Sequence, residues 1–355
     1  MILTINAGSS NIKFSLFDSK TLDLIHHAQV TTLQQTLDWL VEHGVTPAAI
    51  GHRIVHGGEK FFEPVLLTKE VLQQLKKLIP LAPLHQPHNI KAIETLGAVY
   101  PQTPQVGCFD TAFHVTQQKL AKLFAIPKAL TNTGIIRYGF HGLSYEYIAS
   151  VMQNFIGTLA NKKVIVAHLG NGSSMCAINN KCSVATSMGF SALDGLMMGS
   201  RCGRIDPGVL LYLLQEKNYS TESLANLLYY KSGLLGVSDH SNDVRELLVH
   251  NDASSQTAID LYCYLAACEF GYLFTANAGC DALIFTAGIG EHAAVIRRKI
   301  CEWLQCFGVD IESDANTKNA TIISKPNSKI VVSVIPTDEE IVIGQHTTHV
   351  LTLCL

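Results

Sequence analysis

The chain has 355 residues, of which 47% are apolar and 15% charged, and 26 basic against 29 acidic side chains leave a formal net charge of −3. That balance excludes a disordered chain and a broadly basic nucleic-acid surface, and at about 150 residues per domain it points to two domains. No apolar run approaches the roughly 18 residues of a membrane span, so neither a membrane nor a nucleic acid is an expected partner.

In chain order, Ile2–Asn6 is apolar and β-rich and reads as a strand rather than as a leader. Ala7-Gly8-Ser9-Ser10 is a turn, Asn11–Phe17 alternates with period two, and Leu24–Val30 is a third strand. Helical spacing follows at Leu33–Glu42, Thr68–Leu78 and Ile90–Val99, then a short strand at Val106–Phe109 that ends on Asp110. The plan then restarts. Lys163–Leu169 is a buried-type strand, Gly170–Ser174 a turn, and Ser174–Ile178 and Lys181–Ala185 are strands. Helices are expected at Pro207–Gln215, Glu222–Tyr230, Asp243–His250 and Ser255–Ala278, strands at Asp281–Thr286 and Val331–Ile335, and a closing helix at Glu339–Val350. Asn6-Ala7-Gly8-Ser9-Ser10 and Asn171-Gly172-Ser173-Ser174 share letters as well as position, so the two halves read as a duplication with a boundary near 142–162. Ten cysteines without a C-x-x-C spacing read as reduced core residues, which points to a cytoplasmic compartment.

Six constellations could carry chemistry. The two Gly/Ser hairpins expose N–H groups and hydroxyls suited to phosphate, or are ordinary tight turns. Gly51-His52-Arg53-Ile54-Val55-His56-Gly57-Gly58-Glu59-Lys60 concentrates ionisable groups between glycines, and its arginine could hold a carboxylate or phosphate bidentately. His52 and His56 do not make a metal pair at strand spacing. Asp110 stands at the carboxyl end of an apolar strand, where α/β sheets bind ligands, though it could equally cap a helix. Arg137–Gly142, His168–Gly172 and Gly199–Gly203 each set a His or Arg beside glycine, as an anion cleft would. Ala287-Gly288-Ile289-Gly290-Glu291-His292-Ala293-Ala294 fits G-x-G-x-x-A with Asp310 twenty residues beyond Gly290, but it arrives too late in the chain for a dinucleotide fingerprint and reads as a glycine turn cradling adenosine. Pro336-Thr337-Asp338-Glu339-Glu340 offers clustered acids for a hard cation such as Mg²⁺, or an acid-rich helix start. No Walker A, H-E-x-x-H or G-x-S-x-G is present.

Asn6–Ser15, Gly51–Phe61, Leu81–His88, Phe109–His114, Tyr138–Gly142, His168–Ser173, Thr186–Arg201, Lys231–Val237, Phe285–Glu291 and Val334–Glu340 together resemble the acetate kinase family from end to end. The resemblance implies an α/β fold of two duplicated ribonuclease-H-like, actin-like ATPase domains with an interdomain cleft: residues 1–146 plus 341–355 as a trimmed acceptor-side domain, and 147–340 as the nucleotide-binding and dimerisation domain. It implies transfer of the ATP γ-phosphoryl group to acetate, with Mg²⁺ (or Mn²⁺) as cofactor, in a homodimer. Asn6 and Glu339 resemble the magnesium-associated residues; Asp110, His141 and Arg201 the catalytic set; Arg53, Val55, Leu84 and Phe140 the acetate contacts. Lys13, His168, Leu169, Gly170, Asn171, Gly172, Asp243, Val244, Arg245, Gly288, Ile289, Gly290, Glu291 and His292 resemble the nucleotide contacts.

The acceptor carboxylate is already ionised, so the task is to bring one anion against another, and fixed cations serve it. Asp110 is therefore expected to orient an arginine or metal-bound water rather than to act as a base. The chain departs from the family's pattern at Leu143-Ser144-Tyr145, at Arg204 where Asp is usual, at His292 where Asn is usual and at Ala192 where a pocket Pro is usual, and about 35 residues are missing before Gly51. Arg204 and His292 bear on rate and nucleotide preference. Ala192 could widen the acceptor pocket for propionate, and a non-catalytic ATP-binding module is the remaining alternative.

Overall fold

The computed structural model describes residues 1–8 and 11–354; Ser9 and Ser10 of the first expected hairpin turn lie outside the described residues. The chain divides into two compact units, residues 1–115, 140–147 and 338–355 forming the first and residues 116–139 and 148–337 the second.

The first unit holds β1 (Ile2–Ala7), β2 (Ile12–Phe17), β3 (Leu24–Val30), β4 (Ala49–Ile54), β5 (Val65–Leu66) and β6 (Gln105–Phe109) in the order β3-β2-β1-β4-β6-β5. The second holds β7 (Lys163–Leu169), β8 (Ser173–Asn179), β9 (Cys182–Thr186), β10 (Ala282–Thr286) and β11 (Val331–Val334) in the order β11-β10-β7-β8-β9. In both sheets a three-strand antiparallel meander is followed by two parallel strands, β1 with β4 and β6, and β7 with β10 and β11. The duplication expected from the hairpins therefore extends to the whole sheet, with β5 an added edge strand of the first.

β4 is a central strand that the chain-order reading left unassigned. Its alternation is broken at Gly51, and packing explains the glycine: a Cβ there would lie 2.3 Å from Thr347 Oγ1 and 2.6 Å from Ile343 Cγ2 on the closing helix Glu339–Cys354. That helix packs its Val342, Ile343 and Val350 with Val106, Cys108 and Leu143. On the other face, Leu37 and Leu40 of the helix Leu33–Glu42 cover Leu3, Ile5, Phe14 and Leu16. The helix starts at a capping box in which Thr32 Oγ1 accepts from Gln35 N and Gln35 Oε1 accepts from Thr32 N.

In the second unit the 24-residue helix Ala253–Ala276 buries Ile259, Tyr262, Ala266, Phe270 and Leu273 against the sheet. Residues 116–139, expected in the first domain, belong here. Gln118 N donates to Val184 O (3.3 Å), Thr116 Oγ1 to Ser183 O (2.9 Å) and Arg137 to Asp194 Oδ2 (2.9 Å), so the segment edges β9 and its loop. The cysteine expectation holds in part. Among the nine cysteines whose side chains are described none forms a disulfide, and Cys108, Cys176, Cys263 and Cys301 are buried, but Cys182, Cys268 and Cys306 are exposed. Among the described residues no helix is long and apolar enough to cross a membrane.

One ion pair ties the segment after β9 to the long helix. Arg204 Nη2 donates to Glu269 Oε2 at 2.9 Å; the Glu269 side chain is 3% exposed and Arg204 half exposed. Arg204, which departs from the family's pattern, is thus engaged by a buried acid of its own. Burial pushes the Glu269 carboxyl up from its ordinary range and Arg204 pulls against that rise. A glutamate whose folded pKa is raised holds protons better folded than unfolded, so its contribution to stability falls as pH rises past the ordinary glutamate value. Arg204→Met should therefore destabilise the chain by about 1–3 kcal/mol at about pH 8, less than the roughly 3–5 kcal/mol of a fully buried broken pair because Arg204 is half exposed. The deficit should shrink toward about pH 5 in urea unfolding; an equal loss at both pH values would mean that the charge of Glu269 is not what Arg204 holds.

Candidate active site

The register of the first sheet builds an acid–arginine pair. β4 and β6 are parallel with Arg53 opposite Cys108 and Ile54 opposite Phe109, and Asp110 N donates to Ile54 O at 3.0 Å. Arg53 and Asp110 thus leave the carboxyl ends of adjacent strands together. Arg53 Nε donates to both Asp110 oxygens (2.9 and 3.1 Å), Nη2 to Oδ2 (2.6 Å), and Nη1 to Asn6 Oδ1 (2.9 Å) from the end of β1. Asp110 is 1% exposed and both of its carboxylate oxygens are taken by Arg53. Its burial pushes the carboxyl up and Arg53 opposes this; burial pulls Arg53 down, but Asp110, Glu339 and Glu340 outweigh it and raise the guanidinium. With both oxygens bonded by a guanidinium, the pair stands as an ion pair at neutral pH.

Asn6 turns its amide nitrogen to the closing helix, donating to Glu339 Oε2 (3.2 Å) and Glu340 Oε1 (3.3 Å). Since Arg53 can only donate to Asn6 and the carboxylates can only accept from it, the amide has one consistent orientation. Glu340 is pushed up by burial and by the charge of Glu339, against Lys13. Asp338 serves as the helix cap, accepting from Ile341 N at 3.0 Å. The acid-rich helix start and the cation-suited acids are thus both present, divided between Asp338 and the two glutamates.

His141 has a left-handed backbone (φ 58°) and precedes the helix Gly142–Val151. Gly142 N donates to Asp110 O at 2.8 Å, and a Cβ on Gly142 would come within 2.1 Å of that same oxygen, so only glycine lets the His141 turn sit on the Asp110 backbone. Val55 and Phe140 are buried and Leu84 half-buried. Val55 N is held by Asn89 Oδ1 (3.1 Å), and the His56 ring stands edge-on to Phe140 at 5.5 Å. His52 is buried with Nε2 on Gln105 Oε1 (2.6 Å), and burial lowers it to about 4; it is a neutral core histidine.

In the second unit β7 and β10 pair Thr286 with His168, so the residues that follow each strand emerge side by side. They wall a cavity of about 520 Å³. Of the expected nucleotide residues, Gly170, Asn171, Asp243, Val244, Arg245, Gly288, Ile289 and His292 line it, and Asn242, Leu248 and Ala293 complete it. Asn242 and Leu248 carried no motif, and Ala293 closes the G-x-G-x-x-A run without having been assigned a contact. Leu169 is instead in the core, His168 is buried at the end of β7, and Gly172, Gly290 and Glu291 are not among the lining. Lys13 lies on β2 of the first unit, where its charge bears on Glu340. The expected glycine turn is a helix, Ala287–His292, entered through Ala287 at φ 64°. Asp243 caps the helix Val244–His250 and pairs with Arg245.

Arg201 lies in a strapped loop of the same unit: Gly199 N donates to Asn171 O, Leu235 N to Gly199 O, Ser232 N to Ser200 O and Cys202 N to Leu228 O. Arg201 Nη1 donates to the carbonyl of Ala192 at 3.0 Å, so the Ala192 position bears directly on the arginine.

Comparison with known proteins matches residues 21–345 to the acetokinase family model. An acetate kinase of Rhodopseudomonas palustris is 46% identical over 388 aligned residues, covering 98% of this chain and 97% of that protein; the alignment outnumbers the 355 residues here, so that relative has segments this chain lacks. Two solved structures superpose closely: a propionate kinase from Francisella tularensis (TM-score 0.92, 36% identity, 98% of this chain and 99% of that one) and the Porphyromonas gingivalis acetate kinase (TM-score 0.88, 33% identity, 99% of each). With a family model spanning most of its length and near-complete overlap with such relatives, the chain belongs to the acetokinase family.

Proposed function

We propose that the chain transfers the γ-phosphoryl group of ATP reversibly to acetate, giving acetyl phosphate and ADP by direct in-line displacement. The observation that carries this reading is the anchoring of Arg53. Asp110 and Asn6 engage three of its five N–H groups and fix the plane of the guanidinium, which leaves two N–H groups for an anion.

Acetate needs no base, and Asp110, with both oxygens engaged by Arg53, is a positioning residue. Arg53 orients the acceptor, with Val55, Leu84 and Phe140 against its methyl group. Arg201 and His141 stabilise charge on the transferring group, and the cavity of the second unit takes the nucleotide. Among the described residues no three His, Cys, Asp or Glu side chains form a metal cage. Two carboxylates fit Mg²⁺, which takes one or two protein carboxylates with water and phosphate oxygens. Asp110, Glu339 and Glu340 face Arg53 and Lys13, an excess of negative charge that such a cation offsets. Glu339 and Glu340 would hold it and Asn6, its oxygen engaged by Arg53, would orient them. The ion would neutralise phosphate charge.

Propionate is the second reading, favoured by the small side chain of Ala192 at a position whose backbone holds Arg201 and by the propionate kinase among the structural relatives. We place the protein in the cytoplasm, a reading supported by nine described cysteines that form no disulfide. The homodimer is supported by the helix Pro207–Gln215, in which no residue is buried and Leu211 is 55% and Tyr212 50% exposed.

Hydroxylamine trapping of acyl phosphate from ATP, Mg²⁺ and acetate, propionate or butyrate should give most product with acetate. Propionate dominant would move the substrate to the second reading, and no product from protein that binds ATP would leave a non-catalytic binding module. Asp110→Asn should lower kcat about 100-fold or more by loosening Arg53, given what a misplacement of about 1 Å costs; near-normal turnover would remove the positioning role. Light scattering should give twice 38.7 kDa, and a mass of one chain would remove the dimer.

A further inference from the structure

The helix Ala294–Trp303 carries a side chain that the reaction above does not use. Arg297 is wholly buried, and all five of its N–H groups are engaged. Nε donates to Asn316 Oδ1 (2.8 Å). Nη1 donates to the backbone carbonyls of Gly290 (2.8 Å) and Glu291 (2.9 Å). Nη2 donates to Asn316 O (2.7 Å) and Asn319 Oδ1 (2.6 Å). Among the described residues no carboxylate forms an ion pair with it. Burial lowers its pKa to about 10, which leaves it protonated near neutrality.

A buried cation without a counter-ion is a poor way to gain stability, because an apolar side chain of similar volume would fill the space without the desolvation penalty. Its use lies in what it holds. Gly290 and Glu291 are in the last turn of the six-residue helix Ala287–His292, whose carbonyls have few partners within so short a helix. Such a helix does not stand by its own hydrogen bonds. The same helix presents Gly288, Ile289 and His292 to the cavity, and its Glu291 Oε1 accepts from Thr337 N at 3.1 Å.

We propose that Arg297 is a positioning residue for the nucleotide: it fixes the carbonyls of Gly290 and Glu291 from behind and so sets the wall formed by Gly288, Ile289 and His292, without itself lining the cavity. The inference rests on the reading of that cavity as the nucleotide site.

Arg297→Met and Arg297→Lys in the full chain test it, with near-UV circular dichroism as the check of fold. Arg297→Met should weaken ADP binding in calorimetry, and raise the KM for ATP, by about tenfold or more, as expected for loss of charge-assisted hydrogen bonds. The KM for acetate should be unchanged, and Arg297→Lys should recover part of the loss, since an ammonium has fewer donors for the same carbonyls. A folded Arg297→Met that binds ADP like the wild type overturns the proposal, as does a parallel rise in both KM values. If neither variant folds, Asn319→Gly decides. It keeps the left-handed backbone at φ 50° and removes one acceptor from Nη2. ADP binding about two- to threefold weaker supports the role, and unchanged binding overturns it. Wild-type protein that binds ADP but makes no acyl phosphate would overturn the proposed reaction and leave the calorimetric test standing, whereas wild-type protein that binds no ADP would overturn both.

Discussion

A carboxylate taken out of water has to be neutralised where it stands, and the first unit is arranged around that requirement at Asp110. Its side chain receives Arg53, its backbone N–H reaches Ile54, and its carbonyl takes the N–H of Gly142. One buried residue therefore fixes the end of β4, the end of β6 and the His141 turn at once. Arg53 in turn orders Asn6, and Asn6 orders Glu339 and Glu340. The positions of four polar side chains follow from the need to pair one.

The second unit solves a related problem with backbone. Its cavity is walled partly by short, glycine-bearing segments at the carboxyl ends of the parallel strands β7 and β10, where an α/β sheet opens to ligands, and partly by the start of the helix Val244–His250. Glycine lets a ligand approach closely, but it gives the wall little stiffness. Stiffness comes from bonds made by the wall itself, Asn171 O on Gly199 N and Asp243 as a cap, and from Arg297 behind Gly290 and Glu291.

Much of this was legible in the residues. The repeated β-β-β order, the apolar strands that end in Asp110, Leu169 and Thr286, and the helices Leu33–Glu42 and Pro207–Gln215 needed only periodicity and turn chemistry. β4 was illegible because its alternation yields to Gly51, and only the helix Glu339–Cys354, almost 300 residues later, makes that glycine necessary. Ala287–His292 looked like a turn because glycine has a poor helix propensity; tertiary bonds from Arg297 override it. Arg204 stood out only as a departure from the family's pattern because its partner, Glu269, is 65 positions away inside an otherwise apolar helix face. For β4 and Arg204 the missing information was a long-range contact, and for Ala287–His292 a side chain on the next helix, none of which periodicity encodes.

The segmentation of the first unit has a consequence for synthesis. Its core lacks Val342, Ile343 and Val350, and its polar cluster lacks Glu339 and Glu340, until residues 338–354 have been made. The second unit lies almost wholly within residues 148–337 and has its strands in hand before that point. On a ribosome the earlier half of the chain is therefore the later half to fold: β1 to β6 emerge first, and wait with one sheet face uncovered while the second unit closes.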